Sequence, residues 1–91
     1  MDYKEYKRPE PKLLSHEATF NGHQWLIRAK FEHFKTRPFD KAYLEKDGSF
    51  TFFLNHGDDY DVLHGSQEQE LNAKYGSLFI NAINQQENKN D

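Results

Sequence analysis

The sequence predicts an α+β fold, a four-stranded antiparallel β-meander with one C-terminal helix packed on one face of the sheet. Asn-Gly and Asp-Gly pairs, each flanked by alternating polar and apolar residues, indicate two β-hairpins. A later stretch with apolar residues at helical spacing indicates the helix. The chain has 91 residues, the length of one small domain. We place this single domain at residues 13–84, between a flexible N-terminal arm at residues 1–12 and a disordered tail at residues 85–91.

The first predicted hairpin turns at Asn21-Gly22. An Asn-Gly pair favours a two-residue turn of type I′, because both central residues of that turn need a positive φ. We expect strands at about Leu14–Phe20 and at His23–Phe34. In the second strand, alternation assigns one face to Trp25, Ile27, Ala29 and Phe31, and the other to Leu26, Arg28, Lys30, Glu32 and Phe34.

The second predicted hairpin follows a loop at Lys35–Pro38 and turns at Asp47-Gly48. Its strands are expected at Lys41–Lys46 and Ser49–Asn55. Alternation again separates two faces. One face carries Ala42, Leu44, Phe50, Phe52 and Leu54, and the other carries Lys41, Tyr43, Glu45, Thr51 and Phe53.

A loop is predicted at His56–Gly65, and the helix is predicted to begin after it. Ser66 and Gln69 have the spacing of a capping box, in which two side chains satisfy free amides at a helix start. Gly76 weakens a helix by about 1 kcal/mol relative to alanine. We expect a continuous helix, although a break at Gly76 stays open. The apolar positions at helical spacing are Leu71, Tyr75, Leu78, Phe79, Ala82 and Ile83.

Aromatic residues dominate the predicted core. The chain has eight Phe, five Tyr and one Trp, and each aromatic side chain buries roughly 150–250 Å². A core of this size leaves little room for a deep enclosed cavity. The residues expected in it are Trp25, Ile27, Phe31, Leu44, Phe50, Phe52, Leu71, Leu78, Phe79 and Ile83.

The charge distribution is asymmetric along the chain. Residues 1–46 carry ten Lys and Arg against seven Asp and Glu, whereas residues 47–91 carry two Lys against eight Asp and Glu. The net charge of −3 argues against a general duplex-DNA binder, which is expected to be basic. No apolar run is long enough for a membrane span, and no targeting signal is visible, so we expect a cytoplasmic protein.

Motifs for catalysis and for cofactor binding are missing from the sequence. There is no cysteine, the serines belong to no Gly-x-Ser-x-Gly motif, and the glycines form no phosphate-binding loop. The His56–His64 segment contains imidazoles and carboxylates, but its spacing matches no calcium loop and no zinc motif. We therefore predict no enzyme activity, no cofactor and no metal site. An acidic loop at Asp58, Asp59 and Asp61 is expected to act by electrostatic steering of a basic partner.

The face of the sheet away from the helix is the candidate binding site. It is predicted to present Leu26, Arg28, Lys30, Phe34, Tyr43 and Phe53, with Lys35, Arg37 and Lys41 extending the positive charge. Exposed apolar residues among charges mark an interface with another protein, or with a second copy of the chain. Packing within the chain would explain the same pattern.

Single-stranded nucleic acid is the alternative ligand for this face, because bases stack on aromatic rings and phosphates meet Lys or Arg. We favour a protein partner over nucleic acid. The predicted function is a small non-enzymatic protein-binding module, such as an adaptor, an inhibitor or an immunity-type protein.

Overall fold

The computed structural model describes residues 11–89, with side chains described through residue 88. One antiparallel sheet contains all five strands in chain order, and a single α-helix follows it. The predicted α+β meander is confirmed, and a fifth strand is added to it. The elements are β1 (Leu13–Phe20), β2 (Trp25–Phe31), β3 (Lys41–Leu44), β4 (Phe50–His56), β5 (Asp59–Val62) and α1 (Gly65–Lys89).

The fifth strand corrects the prediction of a loop over His56–Gly65. Gly57 and Asp58 form a two-residue hairpin loop, since His56 pairs with Asp59. Gly57 has a φ of 66°, whereas no non-glycine residue described has a positive φ. Positive φ at the first central residue alone is the pattern of a type II′ turn, whose twist matches that of the adjoining strands. The short acidic segment after Gly57 can therefore pair with β4.

Both predicted hairpin turns are present, but neither is the two-residue type I′ turn that we expected. The side-chain oxygen of Asn21 accepts hydrogen bonds from two backbone N–H groups of a four-residue loop in which Gly22 has a φ of 99°. The second turn is a five-residue connection between Leu44 and Phe50, in which Gly48 has a φ of 92°. The hydroxyl and the backbone N–H of Ser49 donate to the Asp47 carboxylate and hold its pKa below the ordinary value.

Strand β2 ends at Phe31, three residues before the predicted end at Phe34. Residues Phe34–Thr36 form a short 3-10 helix instead. The carbonyl oxygen of Phe34 accepts hydrogen bonds from the backbone N–H of Arg37 at 3.4 Å and from its Nη1 at 2.7 Å. Because this carbonyl is hydrogen-bonded to Arg37, it does not pair with a neighbouring strand, and Phe34 lies outside the sheet.

Phe39 lies at the centre of the core, although the sequence analysis did not assign it there. Its side chain is fully buried between the sheet and α1. Four other rings surround it with edge-to-face geometry, which suits the electrostatics of aromatic rings. The ring centroids lie at 5.2 Å from Phe31, 4.7 Å from Phe52, 5.5 Å from Tyr75 and 6.0 Å from Phe79.

The helix side of the core is a stripe with a spacing of four residues. Leu71, Tyr75, Phe79 and Ile83 are buried along it, and burial raises the pKa of the Tyr75 phenol. Leu78, which we predicted in the core, lies beside this stripe and is 40% exposed. The other buried members of the core are Ala18, Ile27, Phe31, Phe39, Ala42, Phe50 and Phe52, while Trp25 and Leu44 are partly buried against them.

Helix α1 is continuous through Gly76, as predicted, and it ends later than predicted. It reaches Lys89, so residues 85–89 of the expected tail are helical. Residues 90 and 91 and most of the predicted N-terminal arm, residues 1–10, lie outside the described residues. At Lys12 the chain is already held by the sheet, because its carbonyl oxygen accepts a hydrogen bond from the backbone N–H of Glu32 at 2.9 Å. Among the described residues, no helix combines the length and the apolar character needed to cross a membrane.

Asn72 fixes the position of α1 against the sheet. Its side-chain oxygen accepts a hydrogen bond from the backbone N–H of Phe50 at 2.8 Å, and its side-chain nitrogen donates to the carbonyl of Phe50 at 3.0 Å. The same nitrogen donates to the carbonyl of Glu68 at 3.1 Å. The Asn72 amide therefore pairs with the start of β4 much as a neighbouring strand would, and it sets the register between the two layers.

We expect Phe39→Ala to lower the free energy of unfolding by about 3–5 kcal/mol, because it leaves a cavity among four rings. Urea unfolding followed by tryptophan fluorescence measures the change, and Phe39→Leu provides a milder variant if the alanine variant is unfolded. The control is Phe34→Ala, because Phe34 is 70% exposed and contributes only about 0.5–1 kcal/mol through its contact with Arg37. Equal losses in the two alanine variants would refute the central role of Phe39.

We expect Asn72→Ala to lower the free energy of unfolding by roughly 1–3 kcal/mol, because it leaves the partly buried backbone groups of Phe50 without their partner. The matched control is Asn81→Ala, since Asn81 is an exposed residue of the same helix. Chemical denaturation of both variants gives the comparison. Alanine has a higher helix propensity than asparagine, so Asn81→Ala should not destabilise the protein. Equal losses in the two variants would refute the role of the Asn72 side chain.

Candidate functional site

The face of the sheet opposite α1 is named here the outer sheet face. Residues directly opposite each other in neighbouring antiparallel strands share a face. The register pairs Leu26 with Tyr43, Lys41 with Phe53 and Phe53 with Val62. By this register the outer sheet face carries Ser15, Glu17, Thr19, Leu26, Arg28, Lys30, Lys41, Tyr43, Thr51, Phe53, Asn55, Tyr60 and Val62.

Three rings form an aromatic cluster on the outer sheet face: Tyr43, Phe53 and Tyr60. The centroids of Tyr43 and Phe53 are 5.4 Å apart with an interplanar angle of 76°, and those of Phe53 and Tyr60 are 5.3 Å apart at 57°. Tyr43 and Phe53 are partly buried, whereas Tyr60 is 57% exposed. Tyr60 therefore supplies most of the accessible aromatic surface.

The ammonium group of Lys41 lies beside all three rings of the aromatic cluster. Its Nζ is 5.8 Å from the ring centroid of Tyr43 and 6.0 Å from those of Phe53 and Tyr60. These distances are within the range of cation–π attraction, and partial burial of Lys41 strengthens that attraction. The cluster thus holds a positive charge at its border and limits the conformational freedom of the Lys41 side chain.

Two further cations, Arg28 and Lys30, lie next to the aromatic cluster on β2. Both are exposed, and among the described residues neither takes part in an ion pair. Arg28 is directly opposite Lys41 in the register and directly opposite Glu17 on its other side. The outer sheet face therefore divides into a cationic half over β2 and β3 and an aromatic half over β3, β4 and β5.

The structure places four of the six predicted contact residues together as accessible groups: Arg28, Lys30, Tyr43 and Phe53. Leu26 has the predicted orientation by register, but its side chain is only 6% exposed. Phe34 lies outside the sheet in the 3-10 helix, 70% exposed. Neither residue is an accessible part of the outer sheet face, so both are removed from the candidate site.

Arg37 was expected to add positive charge to this face, but its charge is already paired. The Nε atom donates to the Asp40 carboxylate at 2.6 Å, and Nη2 donates to the carbonyl of Asn55 at 2.9 Å. The other oxygen of Asp40 accepts a hydrogen bond from the backbone N–H of Asn55 at 2.7 Å. The guanidinium also lies 3.8 Å above the ring centroid of Phe34. Arg37 is therefore a structural link between the segment before β3 and the end of β4.

Tyr60 is a member of the site that the sequence does not predict, because a loop is expected over His56–Gly65. Strand β5 brings Tyr60 opposite Asn55 and against Phe53. The alternation in Asp59-Tyr60-Asp61-Val62, directly after a Gly-Asp pair, is the signal that indicates a strand here.

The predicted acidic loop is divided between a turn and a strand. Asp58 lies in the β4–β5 turn, while Asp59 and Asp61 lie on β5, on the side of the sheet opposite Tyr60. The Nε2 atom of His56 is 2.9 Å from a carboxylate oxygen of Asp61. Within the described part of the chain, no group of three His, Asp or Glu side chains is arranged to bind a metal ion. The carboxylates remain exposed, but they do not belong to the outer sheet face.

The tilts between the rings determine what the aromatic cluster can bind. Successive bases of a single strand stack flat on ring faces, whereas Tyr43, Phe53 and Tyr60 pack face and edge against each other. The exposed phenol of Tyr60, in contrast, combines apolar area with a hydrogen-bonding group, a combination common in protein interfaces. The three rings therefore do not form a row of parallel faces.

We expect Arg37→Lys to lower the free energy of unfolding by roughly 1–3 kcal/mol, because an ammonium group cannot reproduce the fork of donors to Asp40, Phe34 and Asn55. Arg28→Lys is the matched control. Arg28 is exposed, so we expect a change of less than about 0.5 kcal/mol. Denaturant titration of both variants tests the difference, and a loss shared equally by both would contradict the structural role of Arg37.

Comparisons with known proteins found no match to this chain: no protein-family model, no curated protein and no solved structure.

Proposed function

We propose that this protein is a small non-enzymatic protein-binding module, of the adaptor, inhibitor or immunity type, and that it binds through its outer sheet face. The observation that supports the proposal is the aromatic cluster. Tyr60 is 57% exposed beside Phe53 and Tyr43, on a face that α1 does not cover. An exposed group of large apolar side chains bordered by charges is typical of an interaction surface.

The composition of the face also fits what is known of interface energetics. Tyrosine and arginine are enriched among the residues that contribute most to binding, and tyrosine offers a large contact area with few rotatable bonds. Packing against Phe53 and the nearby Lys41 restricts Tyr60 before any partner arrives. A side chain that is already ordered loses less conformational entropy on binding, so it contributes more to affinity.

Single-stranded nucleic acid remains the competing ligand, because cations and rings are interleaved on this face. Two observations favour a protein partner instead. The rings are tilted against each other by 57° and 76°, and the chain carries a net charge of −3. Both weaken the stacking and phosphate contributions on which such binding depends.

The test is a comparison of affinity-tagged wild type, Tyr60→Ala and Leu78→Ala in extract of the native cell. Loss of the Tyr60 ring is expected to cost about 2 kcal/mol or more of binding, which is at least about a tenfold weaker complex. Leu78 is 40% exposed on α1, on the other side of the molecule, so its variant should recover the same proteins as wild type. Quantitative mass spectrometry measures the recovery, and circular dichroism confirms that all three chains are folded.

Proteins recovered equally by Tyr60→Ala and wild type would refute this face as the binding surface. Two further measurements separate the alternatives. Sedimentation velocity detects a second copy of the chain as the partner. Labelled single-stranded oligonucleotides at low and high salt detect nucleic acid, whose binding is strongest at low salt.

A further inference from the structure

The outer sheet face contains two adjoining depressions that share Lys41. The first is lined by the aromatic cluster together with Gln24, Lys41 and Glu45. The second lies over β1, β2 and β3 and is lined by the cations Arg28, Lys30 and Lys41 and also by Glu17, Asp40 and Asn55. A ligand that crosses the strands would therefore pass from an aromatic site to a cationic site without leaving the face.

The register sets the distance between these two sites. Arg28, Lys41 and Phe53 lie directly opposite one another on three successive strands. Neighbouring strands are about 4.8 Å apart, so Arg28 and Phe53 are separated by roughly 10 Å across the sheet. An extended peptide advances about 3.3 Å per residue. Because successive side chains of an extended peptide point to opposite sides, residues two or four positions apart face the sheet together, and their separations of about 7 and 13 Å bracket this distance.

The cationic site has more positive than negative charge available to a ligand. Arg28 and Lys30 are exposed, and in the described part of the chain they form no ion pair. Two carboxylates line this site. One is Glu17, which lies opposite Arg28, and the other is Asp40, which is already paired with Arg37. At the far side of the aromatic site, the Glu45 carboxylate already accepts a hydrogen bond from the Thr51 hydroxyl at 2.7 Å. A ligand that places its carboxylates at the cationic site, away from Glu45, would therefore complement the charge of the protein.

We infer that the partner presents an extended acidic peptide segment. An aromatic or large apolar side chain of this segment packs against Tyr60 and Phe53, and Asp or Glu side chains two or four residues away, which point to the same side of the segment, meet Arg28 and Lys30. Lys41, held at the border by the three rings, contacts the segment between its anchor and its carboxylates. This inference rests on the proposed function and specifies the chemistry of the partner.

A second copy of the chain complements the cationic site less well than an acidic segment does. In a two-fold interface centred on this site, Arg28, Lys30 and Lys41 would face the same three cations of the other copy. Like charges that face each other across an interface are unfavourable and suppress the wrong partner. Charge complementarity therefore favours an acidic segment of another protein.

The test is a selection from a displayed library of random linear peptides on the immobilised full chain. Selected peptides are expected to carry an aromatic or large apolar residue with Asp or Glu two or four positions away. Synthetic versions are then titrated by fluorescence anisotropy. We expect at least about tenfold weaker binding by the double variant Arg28→Gln/Lys30→Gln, and weaker binding by wild type as the salt concentration rises.

The matched control is Lys46→Gln/Lys74→Gln, which removes the same charge from exposed positions outside both depressions. This variant should bind the selected peptides as wild type does. If this variant lost as much peptide affinity as Arg28→Gln/Lys30→Gln, binding would depend only on the net charge of the protein, and the inference would be overturned.

Tyr60→Ala distinguishes failure of the inference from failure of the proposed function. Selected peptides that depend on Tyr60 but are neutral or basic overturn the acidic partner and leave the proposed binding face intact. Peptides that bind Tyr60→Ala as tightly as wild type overturn the proposed face itself. If no peptide depends on Tyr60, while an oligonucleotide loses affinity in Arg28→Gln/Lys30→Gln, the cationic site serves nucleic acid and both protein proposals are wrong.

Discussion

Phe39 connects the two layers of the fold through edge-to-face contacts with rings on both sides. Phe31 and Phe52 contact it from the sheet, and Tyr75 and Phe79 contact it from the helix. The chain has few aliphatic residues with which to fill a core, including only three Ile and one Val. A ring at the centre of the interface is therefore needed to bury enough apolar surface for a domain of this size.

The elements that the sequence predicted are those specified by short-range patterns. Alternation indicated four strands, and the spacing of Leu71, Tyr75 and Phe79 indicated the helix. Phe39 follows no such pattern, because it lies in an irregular segment and is buried by residues that are distant along the chain. Strand β5 was missed for a related reason, since an acidic segment becomes a strand here only by pairing with β4 across the turn at Gly57.

The candidate site likewise contains residues that short-range patterns predict and residues that depend on distant contacts. Alternation placed Tyr43 and Phe53 on one face correctly, because a strand turns successive side chains to opposite sides. The departure of Phe34 and the pairing of Arg37 depend on one guanidinium that bonds the nearby Phe34 carbonyl and Asp40 carboxylate together with the carbonyl of Asn55, 18 residues away. No local pattern contains that information. Tyr60 belongs to the site only because β5 pairs with β4.

The core and the proposed binding face are coupled through β4. Phe52 is buried in the core, and the next residue, Phe53, belongs to the aromatic cluster on the opposite side. A register shift of one residue would exchange these two rings between the core and the surface. Asn72 holds the start of β4 at Phe50, and Arg37 with Asp40 holds its end near Asn55. The contacts at the two ends of this strand therefore stabilise the fold and keep the aromatic cluster on the side where a partner can reach it.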